Sequence, residues 1–248
     1  SSIGNAHQGH TGGTIGFFCE PADQATPTGA QKPIYVLSNE HVLAKMRGKK
    51  EERPTCVVQP GKNIISSELV ANLSKTGEID FKSSEKQPNR VDAAIAKLNA
   101  TIGYSTTIKG EWEVDGHLDR ESIVHGMPCK KYGSTSFETR GYVYSRHVAI
   151  WVSYLDNGKK AFFDEQILIL PNNDETKFGE PGDSGSLVLN DQNKAIGLLF
   201  AGSEGAAKID TGEVPDVPPN LSKVIKNYGL ANCISDVLSK LNVKLVED

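Results

Sequence analysis

Apolar residues along the chain come in short runs, broken every few positions by Gly, Pro, Asn and Asp. The runs at 14–19, 34–37, 55–58, 69–71 and 93–98 have the length and β-branched content of strands. A polar bridge follows over residues 99–121, with Lys109-Gly110 and Asp115-Gly116 as turn signals. Strand-like runs then resume at 139–144, 148–153, 162–170, 187–189 and 195–200. Asn157-Gly158 between two of them predicts a tight hairpin, and the polar 190–193 stretch predicts another. A helical period is clear only near the end. There Ile234, Val237, Leu238 and Leu241 recur at i, i+3, i+4 and i+7 within residues 232–241, with Asn232 as the expected N-cap. Residues 74–89, polar and charge-mixed, and 203–220, rich in Pro and Gly, read as loose segments. Many short strands with one terminal helix predict an all-β chain of barrels or sandwiches, in two halves divided near the bridge.

Composition narrows this picture. The 248 residues carry 27 Lys+Arg against 31 Asp+Glu, a formal charge of −4. That balance argues against a nucleic-acid partner, whose binding rests on clustered basic charge. No run approaches the roughly 20 apolar residues of a spanning helix, so no membrane partner is expected. The first residues offer neither a basic nor an apolar signal region and no initiator Met, which points to a processed product or an excised domain. Cys19, Cys56, Cys129 and Cys233 form no CxxC pair and no Cys/His cluster, so neither a zinc site nor another cofactor is expected. Four free thiols and a cytoplasmic location are the favoured expectation, with a processed secreted form left open.

The candidate chemistry lies in Gly179-Glu-Pro-Gly-Asp-Ser-Gly-Ser186. A serine in a glycine-flanked turn exposes its hydroxyl, and Gly182 lets backbone N–H groups approach a reacting carbonyl oxygen. Asp-Ser-Gly alone is also ordinary turn chemistry, so partners decide. His41 follows an apolar strand in Val36-Leu-Ser-Asn-Glu-His-Val-Leu43, and Asp92 precedes another in Val91-Asp-Ala-Ala-Ile-Ala96. An Asp so placed can accept the His Nδ1–H and hold the tautomer. The order His, Asp, Ser excludes an α/β-hydrolase, which needs a His after its Ser, whereas the last His here is His147.

These residues resemble the chymotrypsin-fold (trypsin-like) serine peptidases, and more closely their cysteine-poor bacterial and plant, narrow-leaf-like branch. The similar stretches run in family order: Gly12-Gly-Thr-Ile-Gly16, the His41 and Asp92 segments, Cys129-Lys-Lys-Tyr-Gly-Ser-Thr-Ser136, the Ser184 turn, Ile196-Gly-Leu-Leu-Phe-Ala-Gly-Ser203 and residues 234–243. The resemblance implies two six-stranded antiparallel β-barrels with a C-terminal helix. Lobe 1–110 would carry His41 and Asp92, and lobe 111–248 Ser184, together forming one catalytic unit. It further implies a serine endopeptidase acting on protein or peptide substrate through an acyl-enzyme, with the amides of Gly182 and Ser184 as oxyanion hole. Phe178, Gly179, Phe200 and Gly202 fall on the substrate-pocket positions, and a fused or associated regulatory domain is a further expected partner. The competing reading is a silent or gated module of the same fold that binds a peptide in the same groove; an esterase is chemically adjacent.

Two departures carry expectations. No Ile-Val-Gly-Gly start is present to pair with Asp183, so that carboxylate must be satisfied by backbone donors or another side chain. No carboxylate stands at position 178, which favours a small or apolar P1 side chain over Arg or Lys, although nearby Glu180 could reverse this. His7 and His10 read as a solvated arm, His117, His125 and His147 as surface or strand residues, and the basic 45–50 cluster as a solvated loop. Trp112 and Trp151 read as packing residues.

Overall fold

The short apolar runs form strands wherever the computed structural model describes them, which is over residues 2–5, 12–23, 32–44, 56–59, 68–154, 158–172, 177–203 and 227–247. In the first lobe these are β1 (Ser2–Asn5), β2 (Gly12–Thr14), β3 (Phe17–Pro21), β4 (Tyr35–Ser38), β5 (Cys56–Gln59), β6 (Glu68–Thr76) and β7 (Ala94–Leu98). A small β8 (Thr107–Ile108) and β9 (Trp112–Glu113) hairpin lies in the polar bridge. The second lobe holds β10 (Pro128–Gly133), β11 (Phe137–Tyr154), β12 (Lys159–Pro171), β13 (Leu187–Asn190), β14 (Ala195–Gly202) and β15 (Gly229–Cys233). Helix α2 (Ile234–Leu241) and β16 (Val243–Leu245) follow.

The second lobe is a closed antiparallel barrel in the order β10-β11-β12-β15-β14-β13. The first is one antiparallel sheet, β16-β3-β4-β7-β6-β5-β1-β2 among the described residues. This is the all-β double-barrel architecture with a C-terminal helix. The last strand returns to the first lobe: Val243, Lys244 and Leu245 pair with Pro21, Glu20 and Cys19. The final strand of the 111–248 segment therefore completes the sheet that carries the His41 strand.

Helix α2 explains why the chain returns. Its Ile234, Val237, Leu238 and Leu241 are buried, as their spacing requires. They share one apolar cluster with Phe17, Leu37 and Ile95 of the first lobe and with Leu187, Leu189 and Leu198 of the second. Each such side chain contributes about 1.5–3 kcal/mol through burial, so the lobes share a core rather than a wetted seam.

Three local expectations change. The helix starts at Ile234, not Asn232, because Asn232 lies inside β15 with its amide engaged elsewhere. The two strands expected at 139–144 and 148–153 are one strand, β11, whose register shifts between Val143 and Ile150 absorb the polar Ser145-Arg146-His147 step. Residues 74–89 are ordered rather than loose: 74–76 continue β6, the Asn89 amide donates to the Phe162 carbonyl (2.9 Å), and Ser83 Oγ accepts the Phe162 amide (2.8 Å). Their polarity serves the exposed edge of β12, which a pattern search for apolar strands cannot detect. Of the 203–220 segment, all but Ser203 lies outside the described residues, as do His7, His10 and the 45–50 cluster.

Candidate active site

Asp92 sits just before β7, where the segment docked on β12 enters the first lobe. It is fully buried, so each of its polar atoms needs a partner. Its amide donates to Asn232 Oδ1 (3.0 Å) and its carbonyl accepts from Asn39 Nδ2 (2.7 Å). Oδ1 accepts the amides of Glu40 (2.8 Å) and His41 (3.2 Å). Oδ2 faces His41 Nδ1 at 2.6 Å and accepts the Tyr154 hydroxyl at 3.0 Å.

His41 lies on the single-turn α1 (Glu40–Leu43), which the Asn39 carbonyl opens by accepting from Val42 and Leu43. Val42 and Leu43 are buried in the first lobe. The side chain of His41 is 20% exposed and that of Asp92 0%, so the imidazole has one dry, anchored edge and one accessible edge. This selects the tautomer that holds a proton on Nδ1 and leaves Nε2 to exchange one. Beside it, burial first and the Asp92 charge second push the Glu40 carboxyl up to about 7. Its Oε2 accepts the Ile79 amide at 3.3 Å.

Ser184 comes to this place through its backbone. Its carbonyl accepts the Thr14 amide at 2.7 Å. A Cβ on Gly13 would fall 2.7 Å from that carbonyl oxygen and 2.5 Å from Cγ2 of Val42, the neighbour of His41. Gly13 thus lets the Ser184 turn close against the His41 turn. Gly185 has φ of +95°, and a Cβ there would meet Ser38 Oγ at 2.1 Å, so both its conformation and its space require glycine.

Within the turn, the amides of Asp183, Gly185 and Ser186 donate to the carbonyls of Glu180 (2.9 Å), Leu199 (2.7 Å) and Asp183 (2.9 Å). Among the described residues, those of Gly182 and Ser184 donate to no acceptor. A trans peptide points its N–H opposite the preceding carbonyl. The Pro181 carbonyl is bound by Thr135 Oγ1 (3.0 Å), and the Asp183 carbonyl by the Ser186 amide and hydroxyl (2.6 Å). The amides of Gly182 and Ser184 are therefore directed away from those partners and remain donors for an incoming oxygen.

Asp183 is satisfied as expected, by backbone donors and also by a cation. Oδ1 accepts the amides of Thr135 (2.9 Å) and Ser136 (3.1 Å), and Oδ2 accepts the Glu180 amide (3.0 Å), the Ser136 hydroxyl and Lys131 Nζ (2.8 Å). Lys131 and Asp183 have no exposed side-chain surface. Burial alone would raise the Asp183 carboxyl, but Lys131 and the other donors outweigh it and hold it below its ordinary range. Burial also draws the Lys131 amine below its ordinary value, opposed by Asp183. The Lys131 and 134–136 positions carried a resemblance in the sequence but no chemistry of their own.

The expected pocket residues separate. Phe178 is 0% and Phe200 3% exposed: Phe178 packs with Leu199 inside the second barrel, whereas Phe200 packs on Phe163 in a separate cluster with Leu168 and Tyr154. Gly179 and Gly202 remain near one another at the rim, a Cβ on Gly202 falling 3.9 Å from the Gly179 carbonyl oxygen. Glu180 pairs with Lys177 (3.6 Å). His125 bonds the Tyr144 carbonyl and His147 the Glu165 carboxylate. Trp112 is buried, while Trp151 is half exposed over Phe162. None of the four cysteines is in a disulfide, with Cys56 half-buried and the others buried. Tyr154, Asn232 and Gln166, which binds Asn232 Nδ2 through Oε1 (2.7 Å), join the site without a sequence signal, since each reaches Asp92 or its neighbours from the other lobe.

No family model matches the chain. Among solved structures it is similar over 99% of its length to 98% of a glutamic-acid-specific serine protease that utilises a histidine triad in substrate binding, at 17% identity and a TM-score of 0.59. It is similar over its whole length to 97% of Thermobifida fusca protease A (15% identity, TM-score 0.57) and to 97% of a chymotrypsin from Cellulomonas bogoriensis (14%, 0.55). The chain has the chymotrypsin-type fold.

Proposed function

We propose that the chain is a serine endopeptidase of the trypsin-like fold, a hydrolase acting on protein or peptide substrate. The observation that carries this reading is the 2.6 Å contact of His41 with buried Asp92 beside the closely packed Ser184 turn. Ser184 Oγ attacks the scissile carbonyl as His41 Nε2 takes its proton. The Gly182 and Ser184 amides receive the negative oxygen, and His41 returns the proton to the leaving amine, leaving an acyl group on Ser184. Water then repeats the sequence on the ester. Asp92 orients the imidazole and stabilises its cation. The core placement of Phe178 and the Lys177–Glu180 pair support a P1 residue without positive charge.

A fluorophosphonate probe tests the reading. The wild-type protein should be labelled at neutral pH, with Ser184→Ala unlabelled and unable to cleave a peptide library. Wild-type protein that stays unlabelled overturns it.

A further inference from the structure

Tyr154 ends β11, in the lobe opposite the His41–Asp92 pair. Its ring is buried and stands edge-on to His41, with centroids 5.7 Å apart at 64°, and to Phe81, at 5.7 Å and 86°. Phe163 lies alongside at 6.5 Å. The hydroxyl meets Asp92 Oδ2 at 3.0 Å, the same oxygen that His41 Nδ1 faces. An ionised carboxylate only accepts, so the phenol must donate. Burial, then the charges of Asp92 and Glu40, raise the phenol's pKa well above its ordinary 10 and keep it a neutral donor.

We infer that Tyr154 is a positioning residue of this centre: reaching across the lobe interface, it fixes the Asp92 carboxylate and takes up part of the charge that Asp92 presents to His41. Its catalytic consequence rests on the endopeptidase reading, while the link to His41 does not. A carboxylate shared between two donors stabilises an imidazolium less than one serving the imidazole alone. Tyr154 therefore sets how readily His41 gives up its proton, and makes that property depend on how β11 meets the first lobe. Glu40 beside His41, Glu78 beyond it and Lys159, whose Nζ lies 5.2 Å from the centre of the Phe81 ring that packs on Tyr154, are charged or titratable groups around the cluster. All three side chains are kept in Tyr154→Phe, and Glu40, which feels the Asp92 charge, reports on the same change.

Two measurements on the whole chain test this. The His41 ring is titrated by NMR, and the fluorophosphonate labelling rate is followed from about pH 5 to 9, in wild type, Tyr154→Phe and Phe163→Leu. Tyr154→Phe keeps the ring and loses the hydroxyl. It should raise the pH at which His41 titrates by about one unit, which lowers labelling on the acid limb about tenfold. Phe163→Leu loosens the same ring but keeps the hydroxyl, and should lower Tm without moving the limb. An unmoved His41 titration in Tyr154→Phe, or an equal shift in both variants, overturns the inference. A shifted His41 in a protein whose wild type is never labelled upholds the Tyr154 link and sinks the endopeptidase reading alone.

Discussion

Asp92 and Asp183 are both fully buried, and they are held by different means. Asp183 receives three amides, a hydroxyl and the ammonium of Lys131. Asp92 receives two amides, a phenol and an imidazole, and no permanent cation. A buried carboxylate matched by a permanent ammonium acts as a pin, fixing the backbone on which Ser184 and the free amides ride. One matched mainly by neutral donors keeps field to spare, which under the proposed mechanism would serve a cation formed transiently on His41. A permanent charge fixes the backbone around Asp183, and under the proposed endopeptidase mechanism the incompletely compensated Asp92 would support a proton transfer at His41.

The strongest way to break this contrast is to remove the Asp92 charge. Asp92→Asn should lower kcat/KM about 10⁴-fold, read with whichever peptide the wild type cleaves, and should leave Tm within a few degrees. An equal loss of Tm would mean that Asp92, too, is chiefly a pin. Lys131→Met makes the complementary cut. It leaves Asp183 buried without a cation and should cost about 3–5 kcal/mol of unfolding free energy, measured by urea denaturation. Activity should fall as the Ser184 turn loosens. Lys131→Met with Asp183→Asn should recover much of that stability, because no uncompensated charge then remains.

Glu40 sharpens the comparison with the smallest effect. Its folded-state pKa of about 7 lies above the ordinary 4.5 of a glutamate, so the folded protein holds this proton more tightly than the unfolded chain does. Stability from this group is therefore lost as pH rises from about 4.5 through 7. Glu40→Gln should remove that slope, with a gain of about 1–3 kcal/mol at pH 8 and little change at pH 4, seen in melts across pH. It should move the acid limb of labelling little, unlike Tyr154→Phe, since Glu40 is already largely neutral below pH 7.

The strand-rich class, the terminal helix with its buried stripe, and the order His41, Asp92, Ser184 are legible in the chain without the fold. These are local properties: an apolar run, a 3.6 period, or a serine among glycines is readable from neighbours in the chain. The sequence also required that Asp183 find a partner, because a buried carboxylate cannot stand alone, but it did not name Lys131, 52 positions away. It read Asn232 as a helix cap because Asn before a helical stripe is one in most settings. Only the tertiary structure turned that side chain toward the Asp92 amide, 140 positions distant. The same holds for Tyr154, an ordinary strand residue until β11 crosses to the other lobe, and for residues 80–90, whose polar side chains look unstructured until β12 supplies their partners. Hydrophobic periodicity fixes which face of an element is buried. It does not fix which buried hydrogen-bonding groups meet, because that depends on how two lobes dock, and the docking is set by the shared core as a whole.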